Sequence, residues 1–499
     1  MESLQGILFG FGIALKPINL LYCFFGVTIG TLVGVLPGLG PTAAISLLIP
    51  TTLHASPESG FIMLAGIYYG AMYGGSTTSI LVNIPGEAAS VVTCLDGYQM
   101  ARQGRAGAAL GVAAIGSFIA GTLSILGLML AAPPLASFAL RFGPPEYFSL
   151  MVMGLTILSY LSGGSMLKSL LMATFGILLG CVGVDMVSGM SRFTFGIPDL
   201  MDGIGIIPVV MGLFGISEIM LNVEKSLKRE VFIEKVKNLF PNLQDWKDSI
   251  GAILRGSFVG FVLGVLPGGG TIVASFASYA IEKKVSKHPE QFGRGAIAGV
   301  AGPESANNAA TGGAFIPLLT LGIPTNPVMA ILMGALMIHG LQTGPLLMKE
   351  APNIFWGTIA SMYVGNVLLL VLNLPLIPLW VKVLKTPYVL LFPLIILFCL
   401  VGAYSINNSI VDLLIMILFG LVGYFFKKFG YEAAPFVLAF ILGPLLENSL
   451  RQSLIISNGS LWIFFSRPIS LSLMIISVVL LFSPIVLRRR PTAGLKDED

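Results

Sequence analysis

Residues 26–40 read GVTIGTLVGVLPGLG, and residues 256–270 read GSFVGFVLGVLPGGG. The two stretches align without a gap, 230 positions apart, and eight of their fifteen positions are identical. Each has glycine at every fourth position, a spacing that lets helices pack closely, and then a proline, which interrupts a helix. Glycine abundance alone does not supply Val-Leu-Pro-Gly twice. The sequence therefore predicts an internal repeat in which each unit contains a broken helix.

The composition places both stretches in a membrane protein. The 499 residues include 28 Lys and Arg and 24 Asp and Glu, 10 % of the chain, whereas soluble domains average roughly 25 %. Apolar residues make up 55 %, and the mean hydropathy is +0.90. Uncharged stretches cover residues 17–57, 305–348 and 351–381, and a spanning helix needs about 20 apolar residues. Soluble, fibrous, disordered and nucleic-acid-binding proteins are excluded.

A hydrophilic segment divides the chain near its midpoint. Residues 224–248 contain eleven charges, and the hydropathy of each flanking half predicts five to seven spans by the rule of about 20 residues per helix. We therefore expect an all-α polytopic membrane protein with about 12 transmembrane helices. Its expected parts are an N-terminal half at 1–223, a charged cytoplasmic connector at 224–248, a C-terminal half at 249–487 and a basic cytoplasmic tail at 488–499.

The basic loops orient the chain, because short loops rich in Lys and Arg stay in the cytoplasm. The connector, the tail and residues 283–294 are basic, whereas residues 54–60 contain Glu58 and neither Lys nor Arg. The helix after the first signature leads to this acidic outer loop, and the helix after the second leads to a basic inner loop. Opposite exits indicate inverted repeats with broken helices or re-entrant hairpins, which place substrate near the bilayer midplane.

The two breaks are candidate anion sites. Glycines after the proline leave backbone N–H groups free, and the start of the following helix favours a carboxylate. Since Lys and Arg are scarce in the membrane, we expect backbone donors and hydroxyls to bind an anionic substrate. The candidate ligands are Pro37, Gly38, Gly40 and Thr42 at the first break and Pro267, Gly268, Gly269, Gly270 and Thr271 at the second. The alternative is a kink that serves helix packing alone.

Two further segments, residues 74–86 and 302–313, are polar within apolar surroundings, and Ile84-Pro85-Gly86 has a counterpart in Ile323-Pro324-Thr325. Hydroxyls and amides bind carboxylates, and with carbonyls of unwound backbone they coordinate Na⁺. We expect two kinds of ligand here. The substrate ligands are Ser76, Thr77, Thr78 and Asn307. The cation-coupling ligands are Asn83, Glu304, Asn308 and Thr325.

Glu304 stands just ahead of a 44-residue uncharged stretch. An acid inside a membrane segment is a functional candidate by default, as a carrier of a cation or a proton. The alternatives are that Glu304 caps a helix at the cytoplasmic surface and that Asn307 and Asn308 only join neighbouring helices.

Enzymatic activity is not expected. The sequence lacks the nucleotide-binding Gly-x4-Gly-Lys-Ser/Thr loop, His-Glu-x-x-His and Gly-x-Ser-x-Gly. We therefore expect no catalytic residue, no cofactor and no metal beyond Na⁺ as a coupling ion, and transport that draws on an ion gradient or a partner. A passive channel, a structural scaffold and an intramembrane enzyme are the alternatives.

Five motifs resemble the large membrane subunit of the tripartite tricarboxylate transporters. They are GVLPGLGPT at 34–42, LDGYQMARQG at 95–104, LPGGG at 266–270, EKKVSKHPE at 282–290 and GVAGPESANN at 299–308. The resemblance extends from about Gly6 to Pro484, with Gln99 standing where the family pattern would have Pro.

This resemblance implies a permease of the bacterial inner membrane. Its partners would be a small membrane subunit of about four spans and a periplasmic solute-binding protein that delivers the substrate. Uptake of tricarboxylates or related carboxylates would be secondary active symport, driven by Na⁺ or H⁺. The individual ligand residues are not implied by the resemblance and rest on the physical argument above.

Overall fold

The computed structural model describes residues 2–36, 40–161, 165–185, 188–224, 239–383 and 388–487. Helices dominate these residues. In the first half they are α1 Glu2–Ala14, α2 Pro17–Val35, α3 Pro41–Thr52, α4 Pro57–Val82, α5 Val91–Arg102, α6 Ala106–Ala139, α7 Pro144–Leu161, α8 Met166–Gly180, α9 Ile206–Val210 and α10 Ser217–Glu224. Residues Met211–Ile216, between α9 and α10, are π-helical.

The second half is also helical. Its helices are α11 Leu243–Val265, α12 Gly270–Val285, α13 Ala298–Leu321, α14 Pro327–Ile338, α15 Leu347–Glu350, α16 Pro352–Asn373, α17 Ile377–Val383, α18 Tyr388–Asn407, α19 Ile410–Lys428, α20 Ala433–Ile456, α21 Ile463–Ser466 and α22 Pro468–Leu487. Short 3-10 turns lie at Ala88–Ser90, Pro198–Leu200 and Pro289–Gln291. A small antiparallel ribbon pairs β1 Gly183–Val184 with β2 Ser191–Arg192.

Six of the described helices are long and apolar enough to cross a membrane, namely α2, α6, α11, α16, α19 and α20. The predicted all-α membrane class is thereby confirmed, and the chain is a multi-pass membrane protein. The number of about 12 spans stays a prediction. Most of the connector, residues 225–238, and the tail, residues 488–499, lie outside the described residues.

Both signatures interrupt a helix, as the sequence predicts. Helix α2 ends at Val35 and α3 begins at Pro41, while α11 ends at Val265 and α12 begins at Gly270. Proline suits the first position of a helix because its missing N–H would have no partner there. In the second break Gly268 and Gly270 have positive φ angles of 77° and 49°, a backbone conformation that glycine adopts without steric cost.

The glycines before each break pack against a second helix. In α2, a Cβ on Gly26, Gly30 or Gly34 would lie 2.2–2.5 Å from a carbonyl oxygen of Met63, Ile67 or Ala71 in α4. In α11, a Cβ on Gly256, Gly260 or Gly264 would lie 2.1–2.4 Å from a carbonyl of Gly302, Ala306 or Ala310 in α13. The two helix pairs therefore use the same contact at corresponding glycines.

The partner helices α4 and α13 also correspond, with 239 positions between matched residues. They end at Val82 and Leu321, are capped by Asn83 and Gly322 in the left-handed conformation, and continue as Ile-Pro. Residues 59–81 of α4 and 299–320 of α13 are all buried. A helix buried on every side lies inside the bundle, so the polar residues of α4 and α13 face protein.

Candidate functional site

The second break lies against the loop after α13. The Gly268 N–H donates to the Thr325 carbonyl oxygen at 2.9 Å. Thr325 is fully buried, and its hydroxyl has no partner among the residues that the structure describes. Pro267, Gly270 and Thr271 are half-buried and Gly269 is buried. The predicted ligands Gly268 and Thr325 are thus brought together. The Gly268 N–H is not free as expected, and the Gly269 N–H also donates, to the Leu266 carbonyl at 3.0 Å. The donors left at this break are the first N–H groups of α12, which have no intrahelical partner.

The first break has the same neighbour in its own half, the loop after α4. A Cβ on Gly86 would lie 1.9 Å from the Gly34 carbonyl oxygen, and the Thr78 hydroxyl donates to the Val35 carbonyl at 3.0 Å. Gly40 precedes α3 with open space at its Cβ position. Thr42 is half-buried in the first turn. Two residues predicted as ligands, Pro37 and Gly38, lie outside the described residues.

Residues 74–82 and 302–313 of the polar segments are helical, not unwound, whereas residues 83–86 lie in the loop after α4. Ser76, Thr77 and Thr78 lie in the last two turns of α4, and Glu304, Asn307 and Asn308 lie inside α13. Their carbonyls belong to continuous helices, in which hydrogen bonds engage the backbone. The side chains of these two helices and the backbone of the loop at 83–86 are therefore the groups that remain to bind a ligand.

Glu304 and Asn307 belong to a buried acidic cluster that also includes Glu87. Asn307 Nδ2 donates to Glu87 Oε1 at 3.1 Å, and the Thr93 hydroxyl donates to Glu304 Oε1. The exposed fractions are 7 % for Glu87 and 1 % each for Glu304 and Asn307. Ser76 also faces the Glu304 carboxyl group, which interacts electrostatically with that of Glu87. Glu304 therefore does not cap a helix at the surface.

Glu87 was not predicted as a site residue from the sequence. It follows Ile84-Pro85-Gly86 directly and is the only charged residue between Glu58 and Asp96. Its second oxygen, Oε2, accepts from the Ala89 N–H at 2.6 Å and thereby caps the turn Ala88–Ser90. Its isolation within an uncharged stretch was a usable signal, of the same kind that identified Glu304.

Asn308 lies one helical turn beyond Glu304 and borders a small cavity. Its Nδ2 donates to Ser117 Oγ at 2.8 Å and to the Glu304 carbonyl at 3.0 Å. The cavity has a volume of about 20 Å³, room for one water or one monovalent ion. Its polar lining comes from four helices and includes Tyr69, Tyr73, Ser124, Asn308, Thr311 and Asn366.

Asn83 is not part of these groups. It is exposed and ends α4 with a φ of 56°, a conformation that Asn tolerates better than most residues.

Asp96, which was not singled out from the sequence either, joins the two halves. Its Oδ1 accepts from the backbone N–H groups of Gly293, Gly295 and Ala296 at 2.8–2.9 Å, and its Oδ2 accepts from the Tyr279 hydroxyl at 2.9 Å. All its partners belong to the second half, whereas Asp96 lies in α5. Its hydrogen bonds account for its full burial, so we assign it a structural role.

Comparison with known proteins identifies the family of this chain. Residues 20–438 match the family model described as the tripartite tricarboxylate transporter TctA family. The chain belongs to the TctA family. This is a family of transport permeases, which agrees with the expectation that the chain is not an enzyme.

Two relatives from Agrobacterium vitis are similar to the chain. One, described as an uncharacterized 52.8 kDa protein in the TAR-I ttuC′ 3′ region, is 52 % identical over 501 residues and covers 100 % of both chains. The other, described as an uncharacterized protein in the TAR-II ttuC′ 3′ region, is 52 % identical over 242 residues, which is 48 % of this chain and 100 % of the relative. No solved structure matches the chain.

Proposed function

We propose that this TctA-family chain is the large permease subunit of a binding-protein-dependent secondary transporter. It imports tricarboxylates or related carboxylates across the bacterial inner membrane, with its C-terminus in the cytoplasm. A Na⁺ or H⁺ gradient drives the uptake as symport. A small four-span membrane subunit and a periplasmic solute-binding protein complete the system.

The observation that carries this proposal is the pairing of each broken helix with an Ile-Pro loop. Gly268 and Thr325 are hydrogen-bonded at the second pairing, and Gly34 and Gly86 are in contact at the first. Backbone N–H groups of half-helices and neutral hydroxyls suit carboxylates. The substrate ligands that we propose are Gly40, Thr42 and Ser76–Thr78 in the first half and Gly270 and Thr271 in the second. The Gly268 and Gly269 N–H groups and the Asn307 amide nitrogen are left out because each already donates within the protein.

The two halves act as inverted repeats in this proposal. The shared glycine contacts, the matched ends of α4 and α13 and the two Ile-Pro loops support a common ancestor for the halves. In inverted repeats, alternating access arises from movement of one bundle against the other around a fixed site.

The test is uptake by cells or vesicles containing the chain with the small membrane subunit and its matching binding protein. Radiolabelled citrate is the first probe of a panel of di- and tricarboxylates, each measured with and without Na⁺ and with protonophore. We expect accumulation above the external concentration, which ends when the driving gradient is collapsed. Equilibration without accumulation would contradict the proposal and would indicate a passive channel.

The site assignment has its own test within the same assay. Gly268→Val should abolish uptake, because a branched side chain is strained at a positive φ and blocks the break. Gly340 has a φ of 73° and open space around it, so Gly340→Val is the matched control. Wild-type uptake by a correctly inserted Gly268→Val variant would refute the assigned site.

A further inference from the structure

The acidic cluster, which contains residues of both halves, has a neutral counterpart at the positions related to it by the repeat. Under the 239-position correspondence of α4 and α13, Tyr68 matches Asn307 and Glu87 matches Asn326. Asn307 Nδ2 donates to Glu87 at 3.1 Å, and Asn326 Nδ2 donates to the Tyr68 hydroxyl oxygen at 3.2 Å. Each of these hydrogen bonds joins the two halves, and equivalent positions are therefore hydrogen-bonded twice with different side chains.

This counterpart shows whether the fold requires a carboxylate at the positions of Glu87 and Glu304. Asn326 caps α14 by accepting from the Met329 N–H at 3.0 Å, as Glu87 caps its own turn. A neutral amide thus performs the capping and the cross-helix contact. Glu304 matches Ala65, which is fully buried in α4. The fold therefore needs no carboxylate at either position, and the two charges require another explanation.

The cluster also has acceptors without donors. Glu304 Oε2 and Asn307 Oδ1 are both buried and have no hydrogen-bond partner among the described residues. No ion pair joins Glu87 or Glu304 to Lys, Arg or His in the part of the chain that the structure describes. A buried charge without a partner is strongly unfavourable. A monovalent cation would satisfy the acceptors and neutralise one of the two negative charges, whereas water would only satisfy the acceptors.

The other charged groups near the cluster are already engaged. Arg255 binds Glu282 through two hydrogen bonds of 2.8 and 2.6 Å beside Gly302. Asp96 is bound to the 293–296 backbone and Tyr279. The Cys94 thiol, which faces the cluster from α5, hydrogen-bonds the Ser90 carbonyl at 3.8 Å. None of these groups supplies positive charge to Glu87 or Glu304.

We infer that Glu87, Glu304 and Asn307 bind one monovalent cation, Na⁺ or a proton, through the two carboxylates and the amide oxygen. That this cation couples to transport rests on the proposed function. The binding site itself rests on the contacts and burial of the three residues. Oxygen atoms of carboxylates and amides are the ligands that hard cations prefer. The equivalent Tyr68–Asn326 contact contains no carboxylate, so we infer no cation site there.

The test uses the purified full-length chain in detergent, without substrate or gradient, so that its failure is distinguishable from failure of the transport proposal. Binding of ²²Na⁺ is measured at fixed pH. The thermal unfolding midpoint is then measured against pH in choline chloride. The variants are Glu87→Gln and Glu304→Gln, which keep side-chain size. Glu282→Gln is the matched control, because Glu282 is equally buried but paired with Arg255.

For a Na⁺ site, we expect saturable ²²Na⁺ binding by the wild type and the control, with affinity at least tenfold lower in both Gln variants. For a proton site, ²²Na⁺ does not bind and the wild-type midpoint falls as pH rises, because the folded chain then holds a proton that the unfolded chain releases. Both Gln variants flatten that dependence relative to Glu282→Gln. Gln variants that retain the wild-type responses, or a wild type with neither response, would overturn the inference.

A further variant tests the site if a Gln variant aggregates on purification. Thr93→Val removes the hydroxyl donor to Glu304 and leaves both carboxylates in place. Hydrogen bonds to charged groups contribute enough to change affinity about tenfold. We expect a shift of that size in half-saturating Na⁺, or about one unit in the pH midpoint. An unchanged value would overturn the assignment of Glu304.

Discussion

The buried hydroxyl of Thr325 offers a test at the level of one side chain. It has no partner among the described residues, so Thr325→Val removes an unsatisfied polar group and should leave stability unchanged or raise it by about 1 kcal/mol. If the hydroxyl binds a ligand, as predicted, carboxylate uptake should nevertheless fall severalfold. Unfolding midpoints and initial uptake rates measure the two effects.

The matched control is Thr320→Val in the same helix-loop region. Thr320 is equally buried, but its hydroxyl donates to the Ile316 carbonyl at 2.7 Å. This variant should lose about 0.5–1.5 kcal/mol of stability and keep wild-type uptake. Equal uptake by the two variants would count against Thr325 as a ligand.

The glycine contacts make a second prediction at the residue scale. A Cβ on Gly260 would lie 2.1 Å from the Ala306 carbonyl oxygen, so Gly260→Ala should force α11 away from α13 and destabilise the chain by about 1–3 kcal/mol. Gly12 has open space in α1, and Gly12→Ala should be neutral or stabilising by up to about 1 kcal/mol. Thermal unfolding compares them, and equal midpoints would show that the α11–α13 contact is not tight.

At the scale of helices, the second break depends on backbone geometry. Gly268 has a φ of 77°, and Gly340 has a φ of 73° in a loop after α14. Alanine at either position adopts the left-handed conformation at a cost of about 1–2 kcal/mol. We expect both variants to lose similar stability and only Gly268→Ala to lose uptake. Loss of uptake in both would attribute the effect to stability alone.

The breaks could be predicted from sequence because proline and glycine act on the local backbone. Val-Leu-Pro-Gly therefore located the ends of α2 and α11 within a residue or two. The state of residues 74–82 and 302–313 could not be predicted in this way. Hydroxyls and amides disfavour a helix in isolation, but burial within the bundle keeps α4 and α13 helical.

The cluster itself depends on tertiary contacts between segments far apart in the chain. Glu304 was recognisable because one charge adjoined a long uncharged stretch. Its proximity to Glu87, 217 positions earlier, follows from the packing of α13 against the turn after α4. No local pattern encodes that packing, so the two residues could not be combined into one cluster before the fold was known.

At the scale of the whole molecule, Asp96 links the halves. Asp96→Ala would leave three backbone N–H groups, of which that of Ala296 is buried, and the Tyr279 hydroxyl without their acceptor, and we expect a loss of about 3–5 kcal/mol. Trypsin should then cleave faster at the basic residues of 283–294. Asp248 is exposed and hydrogen-bonds Gln244, so Asp248→Ala should change stability by no more than about 0.5 kcal/mol. Unchanged cleavage in Asp96→Ala would contradict the link.

The differences between Glu87 and Asn326, and between Ala65 and Glu304, also affect the energetics of the whole cycle. Two identical inverted halves would make the inward- and outward-facing states mirror equivalents of equal energy. An acidic cluster at one of two equivalent places, with a neutral cluster at the other, removes that degeneracy. If the halves act as inverted repeats, as proposed, we expect the two facing states of the empty carrier to differ in energy. The substrate concentration for half-maximal transport would then differ between the two membrane faces without any separate gate.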